Sequence, residues 1–218
     1  YGKNDWTDAR LMKLLNPGYD SETIGGSLYY NAKSGTCYNN ANNATKDCDF
    51  TSIGIKNSAT RNLIQEVVYN IGGWNANAVY SDFIYEKERG TVVPSGRPIS
   101  WTGKIGLMYP SDYGYAADLT KCKDASGNDL KIGSYNSDVN DYQCRKNNYL
   151  YKGAWEWLLT PLSGTSSRVW YVFSPGYVDH YYNACTSVGL RPVVFLSKKQ
   201  EIESGEGSKD SPYQLTVG

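Results

Sequence analysis

With 218 residues the chain is long enough to bury a full core, in one large domain or one domain with an extension. Its 22 basic side chains balance 22 acidic ones, which excludes the basic stripe of a nucleic-acid binder and the cationic amphipathic helix of a membrane-surface protein. Abundant Tyr, Gly, Ser and Asn with little Leu, Ile or Met favour β structure with long ordered loops over a helical bundle, and no apolar stretch is long enough to span a bilayer.

The chain opens on Tyr1 with no initiator Met and no signal peptide, as expected of a mature or trimmed ectodomain whose anchor lay upstream. Asp5 to Leu15 (DWTDARLMKLL) carries apolar residues at helical spacing, with Asp5 or Thr7 as N-cap and Asn16-Pro17-Gly18 as the stop. A second helix is predicted over Asn57 to Asn70, capped by Ser58, with Leu63, Ile64, Val67 and Val68 on its apolar face and Gly72-Gly73 at its end. Trp74 to Arg89 reads equally as strand or short helix. A turn-rich connector, Thr91 to Arg97, leads to a strand over Trp101 to Asp112 that runs into a turn.

Two polar loops are flanked by cysteines, one by Cys37 and Cys48, the other by Cys122 and Cys144. Such loops cannot close by apolar packing. A disulfide across each would add roughly 2–3 kcal/mol through loop entropy and would imply an oxidising, extracytoplasmic compartment. Four cysteines allow three pairings, and the alternative is a set of reduced thiols in a cytoplasmic protein. Cys185 is left over.

The last third organises the chain. Trp155 to Leu159 and Val193 to Leu196 read as buried strands. From Trp170 the even positions are Trp170, Val172, Ser174, Gly176 and Val178, the filling of a buried face. The odd positions are Tyr171, Phe173, Pro175, Tyr177, Asp179 and Tyr181, which alternation would project together on the other face as an aromatic recognition surface. Ser174-Pro175-Gly176 supplies a hairpin turn. Glu156 and Arg191 fall inside apolar strands and therefore need a partner, either an ion pair or loop carbonyls. A Gly/Ser turn and a short terminal strand close the chain over Ser204 to Leu215. Helices come early and strands late, which predicts an α+β fold.

Four runs in order, GKIGLMYPSDYGYA (Gly103 to Ala116), WLLTP (Trp157 to Pro161), VGLRPVVFL (Val188 to Leu196) and GEGSKDSPYQL (Gly205 to Leu215), resemble the formylglycine-generating-enzyme-like branch of the C-type lectin fold found in bacterial surface proteins. The resemblance covers residue 75 onward. It implies two helices on a small twisted antiparallel sheet with long irregular loops over 75–218. Residues 1–74 are then an N-terminal helical part with its cysteine loop, packed on or leading into that domain; in some relatives the domain is carried on a pilin-like or lipid-anchored stalk, of which the helix from residue 5 could be the remnant.

Several proteins of this kind are the variable proteins of diversity-generating retroelements, whose ligand-binding segment ends near a motif like Gly189-Leu190-Arg191-Pro192. Adenine-directed mutagenesis of Asn codons yields Tyr, Ser, Asp, His, Phe and Cys, and Tyr171, Phe173, Pro175, Tyr177, Asp179, His180, Tyr181 and Cys185 could arise that way. The alternative is an ordinary hairpin of a fixed binding or structural domain.

Chemistry finds little support in the residues. The oxidase that names the branch uses a cysteine pair, and Cys185 has no partner nearby. Asp179, His180 and Cys185 could be drawn as acid, base and nucleophile, but they fall within seven residues of one hairpin, and His180 shares the inward register of Val178. One histidine excludes the usual zinc sets. Asp138, Asn140 and Asp141 could ligate calcium through oxygen, although such loops more often form Asx-turns.

The reading is therefore a secreted or surface-displayed domain, bacterial or phage, that binds a macromolecular ligand (protein or glycan) through a Tyr-rich face. It needs no cofactor or metal, performs no catalysis, takes no nucleic acid and inserts into no membrane through this segment. The competing class is a minor pilin or cell-envelope subunit, and the third is a Cys185-dependent enzyme.

Overall fold

The first element begins at Asp5, whose carboxylate accepts from the Thr7 N–H at 3.1 Å and caps a single 3-10 turn, Trp6–Asp8. At Ala9 the backbone becomes extended, so the helix expected over 5–15 is this turn followed by α1, Arg10–Leu15. Asn16 stops the helix and clamps it. Its amide donates to the carbonyls of Met12 (3.0 Å) and Ile105 (2.9 Å), while its oxygen accepts from the N–H groups of Lys104 and Ile105. The chain is described here by a computed structural model covering residues 2–19, 26–37, 47–75, 80–118, 120–124, 126–129, 144–197, 201–206 and 210–216. Asp138, Asn140 and Asp141, the calcium candidates, lie outside the described residues.

Strands β1 (Ser34–Thr36) and β2 (Asp47–Asp49) pair antiparallel, and the Cys37–Cys48 disulfide closes the ribbon. The helix expected over 57–70 is split. Its first half is α2, Ser58–Leu63, capped by Asn57 rather than Ser58, with the Asn57 oxygen accepting from the Ala59 N–H at 2.8 Å. Its second half is strand β3, Val67–Asn70, which pairs with β4, Ser100–Gly103, from Val67 opposite Gly103 to Asn70 opposite Ser100. The β-branched pair Val67-Val68 and the aromatic Tyr69 suit a pleated surface better than a helix, and a partner strand is at hand. Val68 therefore faces outward and Tyr69 is buried, the reverse of an apolar helix face.

The ambiguous stretch after Trp74 forms α3, Ser81–Glu88. The strand expected over 101–112 is broken into β4 and β5 (Ile105–Leu107), and the turn after it is helix α4, Pro110–Tyr115. Pro110 opens α4 where no N–H is needed, and Asp112 accepts from the Tyr109 N–H at 3.2 Å. Glu88 joins the two helices from inside. Fully buried, its carboxylate accepts from the Ser111 N–H at 2.9 Å and from the Ser111 hydroxyl, with Arg89 3.3 Å away. Burial pushes the Glu88 carboxyl up to about 7, against the pull of those bonds and of Arg89.

The centre is a four-stranded sheet of β6 (Glu156–Pro161), β7 (Val169–Phe173), β8 (Tyr177–Asp179) and β9 (Gly189–Leu190), in the order β8-β7-β6-β9. The first three run antiparallel and β9 lies parallel to β6. Strand β10, Pro192–Val194, pairs with β5, and a last hairpin joins β11 (Ile202–Ser204) to β12 (Gln214–Leu215). Small, mostly antiparallel sheets with separate short helices make this an α+β chain.

The sheet is covered on both faces. Trp157, Leu159 and Tyr171 meet Trp6, Met12, Leu15 and Ile105 in one core, so the 3-10 turn and α1 share a core with the central sheet. Leu158, Trp170 and Val172 meet Trp74, Ile84 and Met108 in the other, where the Trp74 and Trp170 rings stack at 4.0 Å. All six residues of β6 are buried, which explains its unbroken apolar run.

Candidate functional site

The hairpin forms where expected, with Ser174-Pro175-Gly176 as its turn and Gly176 at φ +103°, a conformation that favours glycine. Its two faces differ from expectation. The even face is inward as predicted, with Trp170, Val172 and Val178 buried. The odd face is not a surface: Tyr171 is 0% exposed, Tyr177 is buried and Phe173 is half-buried.

Two aromatics outside the strand account for this. Trp155 packs on Phe173 at 4.6 Å between ring centroids, and Tyr182 folds back to lie 5.5 Å from Trp155 and 5.4 Å from Tyr171. Tyr177 is covered by the Arg145 guanidinium, 3.6 Å from its ring. The odd row is thus a second layer of core, and of its members only Pro175 and Tyr181 are exposed, Tyr181 to 67%.

Asp179 is half-buried and used internally. Its carboxylate accepts from the Tyr171 hydroxyl at 3.1 Å and from the His180 N–H at 2.6 Å. Burial, and then the neighbouring Asp179 charge, raise the Tyr171 hydroxyl far above its ordinary range. The half-buried His180 ring sits edge-on to Trp170 at 4.6 Å, and burial lowers its basicity although Asp179 opposes the shift. Cys185, the free thiol, lines a cleft with Trp157 and Val169 whose lining includes neither Asp179 nor His180.

From His180 to Val188 the chain is a loop fastened at both ends. Arg168 and Asn183 form an isolated bridge, and the Ala184 N–H donates to the Ser167 carbonyl at 2.8 Å. At its far end Arg191 donates to Glu156 at 2.7 Å, so the two charges flagged in the sequence are each other's partner. Just ahead of these anchors Tyr181 stands outward, with the Arg168 guanidinium 5.3 Å from its ring.

The later residues of the same loop, Ala184 to Val188, wall a cleft of about 470 Å³. Its floor includes Leu107, Trp157 and Leu159; α1 contributes Leu11 and Leu14; the loop contributes Cys185, Val188 and, just beyond it, Leu190. The N-terminal segment borders it closely, since a Cβ on Gly2 would lie 2.7 Å from the Cys185 nitrogen. Asn4 fastens that segment by donating to the carbonyls of Leu162, Thr165 and Arg168. Sequence reasoning missed the cleft, whose walls lie more than 150 residues apart; the apolar Leu11 and Leu14 beside the helix face were its one trace.

Comparisons of the chain with protein-family models, with curated protein sequences and with solved structures return no match. The site therefore stands on its own geometry.

Among the described residues no three His, Cys, Asp or Glu gather where they could hold a metal ion, and no helix is long and apolar enough to cross a membrane. The second disulfide, Cys122–Cys144, closes the other polar loop, and the two bonds together fit an oxidising, extracellular environment.

Proposed function

We propose that this chain is a surface-displayed ligand-binding domain of bacterial or phage origin, built on the formylglycine-generating-enzyme-like variant of the C-type lectin fold. It carries out no chemistry. The observation that carries the reading is the 180–188 loop between β8 and β9: it presents Tyr181 early, and its later residues line an apolar cleft. Tyrosine offers a large area, a hydroxyl and few rotatable bonds to a protein or glycan ligand.

The diversity-generating reading takes a sharper form. A segment whose side chains are exchanged by mutagenesis must vary where packing is indifferent and stay fixed where it is not. Deep sequencing of codons 162–188 in a growing population of the source should then find substitutions at template adenines for the exposed Pro175 and Tyr181. Codons for Trp170, Tyr171 and Val178 should hold. An invariant segment removes diversification and leaves a fixed contact.

A second reading is favoured by a different observation. Val194, Phe195 and Leu196 are three consecutive exposed apolar residues, a run that suits an envelope or pilus subunit packing on its neighbours. Tyr181→Ala and Phe195→Asp separate the two readings. Loss of ligand capture in the first with assembly intact supports the receptor. Loss of assembly in the second with capture intact supports the subunit.

A further inference from the structure

The cleft lies between two elements that an incoming chain can use together. On one side is α1, with Leu11 and Leu14. On the other is β9, the edge of the central sheet, with β6 its one strand neighbour among the described residues. A sheet edge offers unpaired N–H and C=O groups, and most proteins cover it. Gly189 and Leu190 are both exposed.

The register aligns side chains with this edge. Leu190 stands opposite Trp157, so both reach the same face of the sheet, and that face is the cleft floor. Edge hydrogen bonding next to an apolar trough is the arrangement by which proteins take an extended peptide as an added strand, with alternate side chains in the trough.

Charge narrows the occupant. Lys3 and Arg10 line the cleft together with Asp5 and Asp8. Asp5 is paired to Arg97 at 3.7 Å and Asp8 to Lys13 at 3.5 Å, so both rim acids are already engaged. Lys3 is exposed. An approaching carboxylate is favoured and a basic segment is not.

We propose that the cleft docks an extended peptide of a partner protein, apolar at alternate positions and carrying an acidic group, which lies alongside β9. The proposal rests on the ligand-binding reading and deepens it by naming the ligand class.

Panning the intact domain against phage-displayed random octapeptides tests this. Enriched sequences should alternate apolar residues and include Asp or Glu. A synthetic copy should bind in fluorescence anisotropy and slow hydrogen exchange of the 188–191 amides. Lys3→Glu, on an exposed side chain, should weaken that peptide about tenfold, and Val188→Lys should weaken it at least as much.

Peptides that bind without protecting these amides and ignore both substitutions would overturn the proposal, as would a panning that enriches nothing. Decanoate or a second copy of the chain (seen by sedimentation) occupying the cleft to the exclusion of peptides would do the same. None of these results touches the Tyr181 surface, so failure here with continued loss of capture in Tyr181→Ala leaves the ligand-binding reading standing.

Discussion

In β7 the side chains of Trp170 and Tyr171 are turned into two different cores, whereas ten residues later Tyr181 stands clear of the sheet at 67% exposure. The two stretches share a taste for aromatic residues. What separates them is cover. β7 runs through the middle of a sheet with helices and loops on both faces, and Trp155 and Tyr182 close the face that alternation alone would leave open. In the 180–188 loop His180 and Tyr182 turn back onto Trp170 and Tyr171, while Tyr181 between them stays exposed. A tyrosine in this chain is therefore a core residue or a contact residue according to what lies opposite it, and its identity alone does not decide.

The largest effect should come from emptying the inner region. Tyr171→Ala removes a fully buried ring and strands the Asp179 carboxylate it bonds, and should cost about 3–5 kcal/mol in denaturant unfolding. A cost below about 1 kcal/mol would mean that β7 has an open face after all.

A control away from both regions is Glu88. Its folded-state carboxyl is raised from 4.5 to about 7, so the folded form holds a proton that the unfolded form has released. The stability this contributes is complete below about pH 4.5 and is lost as pH rises through 7, by at most about 3 kcal/mol. Glu88→Gln should flatten that slope in thermal melts between pH 5 and 8. An unchanged slope would assign the dependence elsewhere.

Glu156→Ala comes next. It leaves Arg191 without its carboxylate at the point where β9 rejoins β6, and should cost about 2 kcal/mol, moderated because the Arg191 side chain keeps 27% exposure. It should also raise hydrogen exchange at 189–191 while sparing β7. Equal loosening of both would erase the contrast between them.

Smallest in stability is Tyr181→Ala, expected within about 0.5 kcal/mol of the parent in the same unfolding assay. Its effect belongs in ligand capture. A stability loss like that of Tyr171→Ala would show that the outer region is structural too.

Much of this was legible in the residues. Polar loops bracketed by Cys37 and Cys48, and by Cys122 and Cys144, announced their disulfides because nothing else could hold them. Ser174-Pro175-Gly176 marked its turn, Asp5 its cap, and Glu156 and Arg191 their need of a partner. The α+β class followed from the order of elements.

The failures have physical causes. Alternation separates two faces but cannot say that both are covered, and the cover on Tyr171 and Phe173 comes from Trp155 and Tyr182 on either side of the hairpin. Val67 and Val68 satisfied a helical spacing, and a strand partner about 35 residues away in β4 overrode it. The cleft was invisible because residues 2–14 and 184–190 meet only in the folded chain.

Two anchors, Asn183 and Ala184 midway along the 180–188 loop and Arg191 just past it, fix the span of the 184–191 segment between them. A span whose endpoints are set by the framework can change length cheaply, since each doubling of a flexible loop costs only about 0.6 kcal/mol of closure entropy. Residues grafted between Ala184 and Val188 would then alter the shape of the cleft mouth while leaving the sheet beneath it untouched. The domain is in that sense a scaffold with an exchangeable tip.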